Sequence, residues 1–147
     1  MTNSQRVIRA VFAVVIAAAV PMGFAGSAQA EESFTWEWKH DRHAGDCTMF
    51  AGAKWTLNDK GKAEFEAVVT SGSNFDAWLM WVQLRDEQGN VLGWMRNADR
   101  FLPDPGDRRK FVMGLDDKSQ RYVWTAHGEF DSVLWPKVSQ LHLDDRC

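Results

Sequence analysis

From Phe34 onward the chain alternates apolar and polar residues with a period of two, the mark of strands with one buried face. Phe34, Trp36 and Trp38 alternate with Thr35, Glu37 and Lys39. Met49, Ala51, Ala53, Trp55 and Leu57 share one parity, and Ala63, Phe65, Ala67 and Val69 share another. A long, nearly continuous apolar strand is predicted over Asp76 to Asp86, and further strands over Val91–Arg96, Lys110–Gly114, Arg121–His127 and Val138–Leu143. Turn chemistry falls between them at Asn58-Asp59-Lys60-Gly61, Ser71-Gly72-Ser73-Asn74, Asp86-Glu87-Gln88-Gly89-Asn90 and Pro103-Asp104-Pro105-Gly106. No sustained 3.6-residue stripe occurs beyond the first thirty residues. About seven or eight short strands at this spacing predict an all-β fold, an antiparallel β-sandwich.

Two hairpins can be registered residue by residue. Asp59-Lys60-Gly61 fits a three-residue loop with glycine in the left-handed position. Asn58 then pairs with Lys62, and the apolar face pairs Leu57 with Ala63, Trp55 with Phe65, Ala53 with Ala67 and Ala51 with Val69. The other face sets Thr56 against Glu64 and Lys54 against Glu66, an opposite-charge pair. Glu87-Gln88-Gly89 makes a second hairpin of the same form, with Asp86 opposite Asn90. Its core face pairs Leu84 with Leu92 and Val82 with Trp94. Its outer face pairs Arg85 with Val91, Gln83 with Gly93 and Trp81 with Met95, with Leu79 beside them. That outer face is apolar near one end.

The first thirty residues differ from the rest. Arg6 and Arg9 precede an uncharged run from Val11 to Val20, Pro21 and Gly23 break it, and Ala28-Gln29-Ala30 offers small residues for cleavage. This is the layout of a secretory signal peptide, too short in its apolar run to span a bilayer, which takes about 20 residues. A mature chain from Glu31 to Cys147 is a single domain of 117 residues with fifteen Lys and Arg against twenty Asp and Glu, a net charge of −5. Such a balance argues against nucleic acid as a partner. After cleavage no membrane association is expected: no cysteine follows the signal to carry a lipid, and Leu102-Pro103-Asp104-Pro105-Gly106 lacks the Thr and apolar tail of a wall-sorting signal. The expected location is extracellular.

Two cysteines, Cys47 and Cys147, in an oxidising compartment predict a disulfide. It closes a loop of about 100 residues, for which the chain-entropy argument gives about 4–5 kcal/mol. The eight tryptophans all lie in the mature chain. Trp55, Trp78 and Trp94 fall on predicted core faces, whereas Trp81 points away from the core, where an aromatic ring can stack on a sugar.

Catalytic chemistry is thinly supported. His40, Asp41, His43 and Asp46 gather before Cys47, but no distant third ligand accompanies them, so a polar loop is the expectation and no metal or cofactor is assigned. Glu64 and Glu66 lie on one strand face at about 6–7 Å, a spacing a glycosidase could use, yet the pairing of Glu66 with Lys54 accounts for it. Nucleophile-elbow, zinc-protease and phosphate-loop patterns are absent. The segment His40-Asp41-Arg42-His43-Ala44-Gly45-Asp46-Cys47, with Trp55-Thr56-Leu57 and the Asp76–Leu92 hairpin, resembles a family of small secreted proteins of unknown function from high-GC Gram-positive bacteria. The resemblance implies secretion and a compact domain, and transfers no functional residue. The functional expectation is a non-catalytic domain that binds a glycan, a cell-wall polymer or another protein through Leu79, Trp81, Gln83, Arg85 and Met95. The alternatives are a small secreted hydrolase with a carboxylate site and an inhibitor-like protein presenting the Arg100–Lys110 loop.

Overall fold

The computed structural model describes residues 30–147, so all but the last residue of the expected export signal lies outside the described residues. Eleven strands form two antiparallel sheets. They are β1 (Ser33–Glu37), β2 (Arg42–Ala44), β3 (Cys47–Met49), β4 (Lys54–Asn58), β5 (Lys62–Ser71), β6 (Asp76–Arg85), β7 (Val91–Trp94), β8 (Arg96–Asn97), β9 (Phe111–Leu115), β10 (Tyr122–Glu129) and β11 (Gln140–Arg146). The first sheet runs β1-β4-β5-β10-β8, with the β2–β3 hairpin added to β5 beyond the end of β4. The second runs β11-β6-β7, with β9 sharing the β7 side of β6. Each sheet thus has one ten-residue strand, β5 or β6, as its spine. The antiparallel sandwich expected from the alternation is the observed fold.

Each expected strand is found, with Met49–Leu57 divided between β3 and β4 and Val91–Arg96 divided between β7 and β8, and β2 is the addition. The predicted Met49–Leu57 strand is two strands. Ala53 donates its N–H to Phe50 O at 3.3 Å and Gly52 adopts φ 94°, which folds Phe50–Gly52 outward as a turn. The ladder therefore holds from Lys54↔Glu66 to Leu57↔Ala63. Beyond it Met49, not Ala51, stands opposite Val69, and Ala51 is exposed. Parity alone carried the alternation straight through a turn that only the glycine marks.

The inner faces meet in one core. Trp55 packs on Phe65 in its own sheet, with ring centroids 5.0 Å apart, and edge-on to Phe111 of the opposite sheet at 5.2 Å. Phe65 in turn meets Trp124 edge-on at 5.1 Å. Trp78, Met80, Val82 and Leu84 of β6 are fully buried against them. Alternate residues of β5 and β6 are buried along their whole length, so both spines fit a two-layer sandwich.

The Cys47–Cys147 disulfide is formed, with Cα atoms 5.8 Å apart. It joins β3 of one sheet to the end of β11 in the other. Beside it Arg42 of β2 forks onto Asp145 Oδ2 at 2.9 and 3.0 Å, a second tie between the sheets.

Candidate functional site

The outer face of the β11-β6-β7 sheet carries the residues singled out by the hairpin register. Leu79, Trp81, Gln83 and Arg85 project from β6 on that face, each half-buried. β11 places Arg146 beside Leu79, Asp144 beside Trp81, His142 beside Gln83 and Gln140 beside Arg85.

Met95 is not among them. The Asp86–Asn90 turn closes as expected and Arg85 pairs with Val91, but a bulge follows: Leu84 pairs with Gly93 and Gln83 with Trp94. Leu92 is the extra residue, and every later residue of β7 changes face. Met95 becomes fully buried, and Trp94, expected in the core opposite Val82, takes the outer position opposite Gln83 expected for Gly93. The reason lies across the sandwich. Gly128 of β10 has no Cβ, and one built there would stand 2.4 Å from Met95 Sδ and 3.2 Å from Trp55. The glycine opens a slot that a flexible methionine fills and an indole would not.

The Asp104–Lys110 segment lies over this face. Trp81 donates its indole N–H to Asp107 Oδ2 at 2.9 Å, which fixes the ring. Lys110 Nζ lies 5.9 Å and the Arg146 guanidinium 5.6 Å from the Trp81 ring centroid, and the Arg109 guanidinium lies 5.3 Å from that of Trp94. These are cation–π distances. The bare apolar strip read from the sequence is thus a mixed surface of two indoles bordered by cations. Arg85 is oriented by Gln83, whose Oε1 accepts from Nε at 2.9 Å and from the guanidinium terminus at 2.5 Å. No carboxylate among the described residues lies within ion-pair distance of Arg85 or Arg146, whereas Lys110 is held by Asp104 at 2.6 Å and Arg109 by Asp107 at 3.2 Å.

Titration follows these contacts. The Trp81 N–H, then the backbone and side chain of Arg109, hold the Asp107 carboxyl below the usual carboxylate range. The Lys110 ammonium does the same for Asp104. Partial loss of hydration first, and the guanidiniums of Arg85 and Arg42 second, hold the His142 imidazole below its ordinary value of 6.5.

Other candidates are dispersed. Lys54 pairs with Glu66 at 3.0 Å, as the register predicts. Glu64 lies across from Thr56 and His127, and with Glu31 lines an open hollow of about 320 Å³ on the outer face of the first sheet. The residues before Cys47 serve their own loop: Asp41 accepts the Ala51 N–H at 2.8 Å, His43 Nδ1 pairs with the Thr48 hydroxyl at 3.0 Å, and Asp46 accepts from Ser73 at 2.7 Å. Sequence reasoning missed Trp94, Asp107, Arg109, Lys110 and Arg146 as members of the Trp81 surface. The loop residues belong to a segment whose path no periodicity encodes, and Trp94 was hidden by the bulge.

A disulfide-tied, two-sheet antiparallel β-sandwich with one indole- and guanidinium-bearing outer face defines the class of protein. The particular family follows from the sequence: residues 54–147 match the family of unknown function DUF6294, and the chain belongs to it. The matched span runs from β4 to Cys147 and includes the whole Trp81 surface. No curated protein and no solved structure matches the chain.

Proposed function

We propose that the chain is a secreted, non-catalytic binding domain whose contact surface is the outer face of the β11-β6-β7 sheet, and whose ligand is a glycan or cell-wall polymer. The observation that carries this reading is the row of Trp81, Gln83 and Arg85 with Trp94 alongside. Two indoles, that of Trp81 fixed by Asp107, stand next to a guanidinium already oriented by Gln83, with its charge unneutralised. Indole rings offer flat apolar area to a sugar face, and a pre-oriented guanidinium donates in a fixed fork to hydroxyl or acidic oxygens. Both arrangements lower the ordering cost of binding.

The test is a pull-down of the oxidised mature protein on purified cell walls and on a glycan array, with Trp81→Ala and Arg85→Ala beside the wild type. Retention is expected for the wild type and a loss of at least tenfold for each variant, with melting temperatures showing both variants folded. Equal retention of all three proteins, or no retention of the wild type on any glycan or wall preparation, overturns the proposal.

A further inference from the structure

Among the described residues one trio of metal-ligating side chains comes together away from the Trp81 surface. Sγ of Cys47, Sγ of Cys147 and a carboxylate oxygen of Asp76 all lie within 4.8 Å of one another. With the disulfide closed both sulfurs are spent on each other. We propose that in the dithiol form, through which the chain passes before the bridge closes, Cys47, Cys147 and Asp76 bind one Zn²⁺ and leave its fourth position to water.

The distances suit that ion. Zinc takes thiolate at about 2.3 Å and carboxylate at about 2.0–2.2 Å in a tetrahedral shell, which sets sulfur and oxygen ligands about 3.5 Å apart. Asp76 Oδ2 stands 3.0 Å from the Cys147 sulfur and 3.8 Å from that of Cys47. Only the two sulfurs have to move apart, and the Cα separation of 5.8 Å leaves room for that by side-chain rotation. Two thiolates with one carboxylate are a zinc-type donor set rather than a calcium or magnesium one.

The carboxylate is also held from behind. The buried Ser71 donates its hydroxyl to Asp76 Oδ2 at 2.8 Å, and the Ala77 N–H donates to Oδ1 at 2.9 Å. Such outer contacts orient a ligand. Ser71 stands opposite Cys47 in the β3–β5 ladder, and Asp76 opens β6, so the folded sheets themselves assemble the trio. Cys47 is buried and Cys147 exposed, which gives the ion an entry path from solvent. The chemistry balances simply. A phosphine supplies two electrons to break the S–S bond and takes the oxygen of one water as its phosphine oxide, the two protons of that water complete the thiols, and zinc binding returns both protons to solvent as the thiolates coordinate. The metal would then make the tie between β3 and β11 that the disulfide makes after oxidation.

The experiment uses the whole mature protein, reduced with a phosphine under argon and titrated with Co²⁺ and then Zn²⁺. One equivalent of Co²⁺ is expected to give a thiolate-to-cobalt charge-transfer band that one equivalent of Zn²⁺ abolishes. Zn²⁺ is expected to raise the melting temperature of the reduced protein and to leave that of the oxidised protein unchanged. Cys147→Ser should lose the band, and Asp76→Asn should bind at least tenfold more weakly while Asp76→Glu stays within a few-fold of wild type. The melting temperature of each Asp76 variant in its oxidised form establishes that it folds. Absence of the band in reduced wild type, or equal affinity in a folded Asp76→Asn protein, overturns the proposal.

Discussion

Trp55 and Trp81 put the same side chain into opposite surroundings. Trp55 is fully enclosed between Phe65 and Phe111, so Trp55→Ala should cost about 3–5 kcal/mol, as large aromatic truncations do. Trp81 is half-buried, and its removal forfeits part of a ring contact and one hydrogen bond to Asp107, a loss of about 1–2 kcal/mol. Urea unfolding of both variants should show this ordering; a Trp81→Ala protein as unstable as Trp55→Ala would place the indole in the core. His142 gives the face a pH signature. Its folded pKa is lowered, so the unfolded chain binds the proton more readily, and the stability it confers is complete above about pH 6.5 and declines as pH falls below that value. Asp86, Asp104, Asp107 and Asp117 are also lowered, but from 3.8, so their contribution is complete above pH 3.8 and is lost as pH falls through their folded values. Melting temperature followed from pH 8 to pH 2 should therefore fall in two stages, and His142→Asn should remove the first and keep the second.

At the level of elements, two hairpins with the same three-residue turn show how far sequence reading reaches. Both turns were legible because a glycine in the left-handed region closes each: Gly61 at φ 75° and Gly89 at φ 82°. In the first hairpin the register also followed, since Trp55, Leu57, Ala63 and Phe65 form an unbroken apolar face that a one-residue slip would expose. In the second it failed after two residues, because Leu92 and Trp94 share a parity that suits either face, and the deciding partner, Gly128, lies far along the chain. The Trp81 surface was correspondingly half legible: its β6 row came from parity, while its cations came from a loop and from β11. The two turns differ in tolerance. A Cβ on Gly61 would stand 2.3 Å from Phe130 O, whereas nothing lies within 4 Å of one on Gly89. Gly89→Ala should cost about 1–2 kcal/mol, the strain of the left-handed backbone alone. Gly61→Ala should cost on the order of 3 kcal/mol or more, because the backbone at Phe130, just past β10, must also move. Chemical denaturation of the pair measures the difference.

Across the whole molecule, the C-terminal strand is held to the opposite sheet by the Cys47–Cys147 bridge and by Arg42 on Asp145. Cys147→Ser should lower stability by about 2–5 kcal/mol, with the change read from thermal or urea unfolding under oxidising conditions. A chain whose disulfide spans a sequence separation of 100 is also, in covalent terms, a ring that carries a tail before Cys47. Arg108 and Arg109 sit exposed on that ring, so brief trypsin treatment has a place to cut. One cleavage there opens the ring without dividing it. The product should run as a single species on a non-reducing gel, heavier by one water molecule, and fall into two fragments only when a thiol is added. A domain built this way survives a single cut in the ring with both fragments still joined.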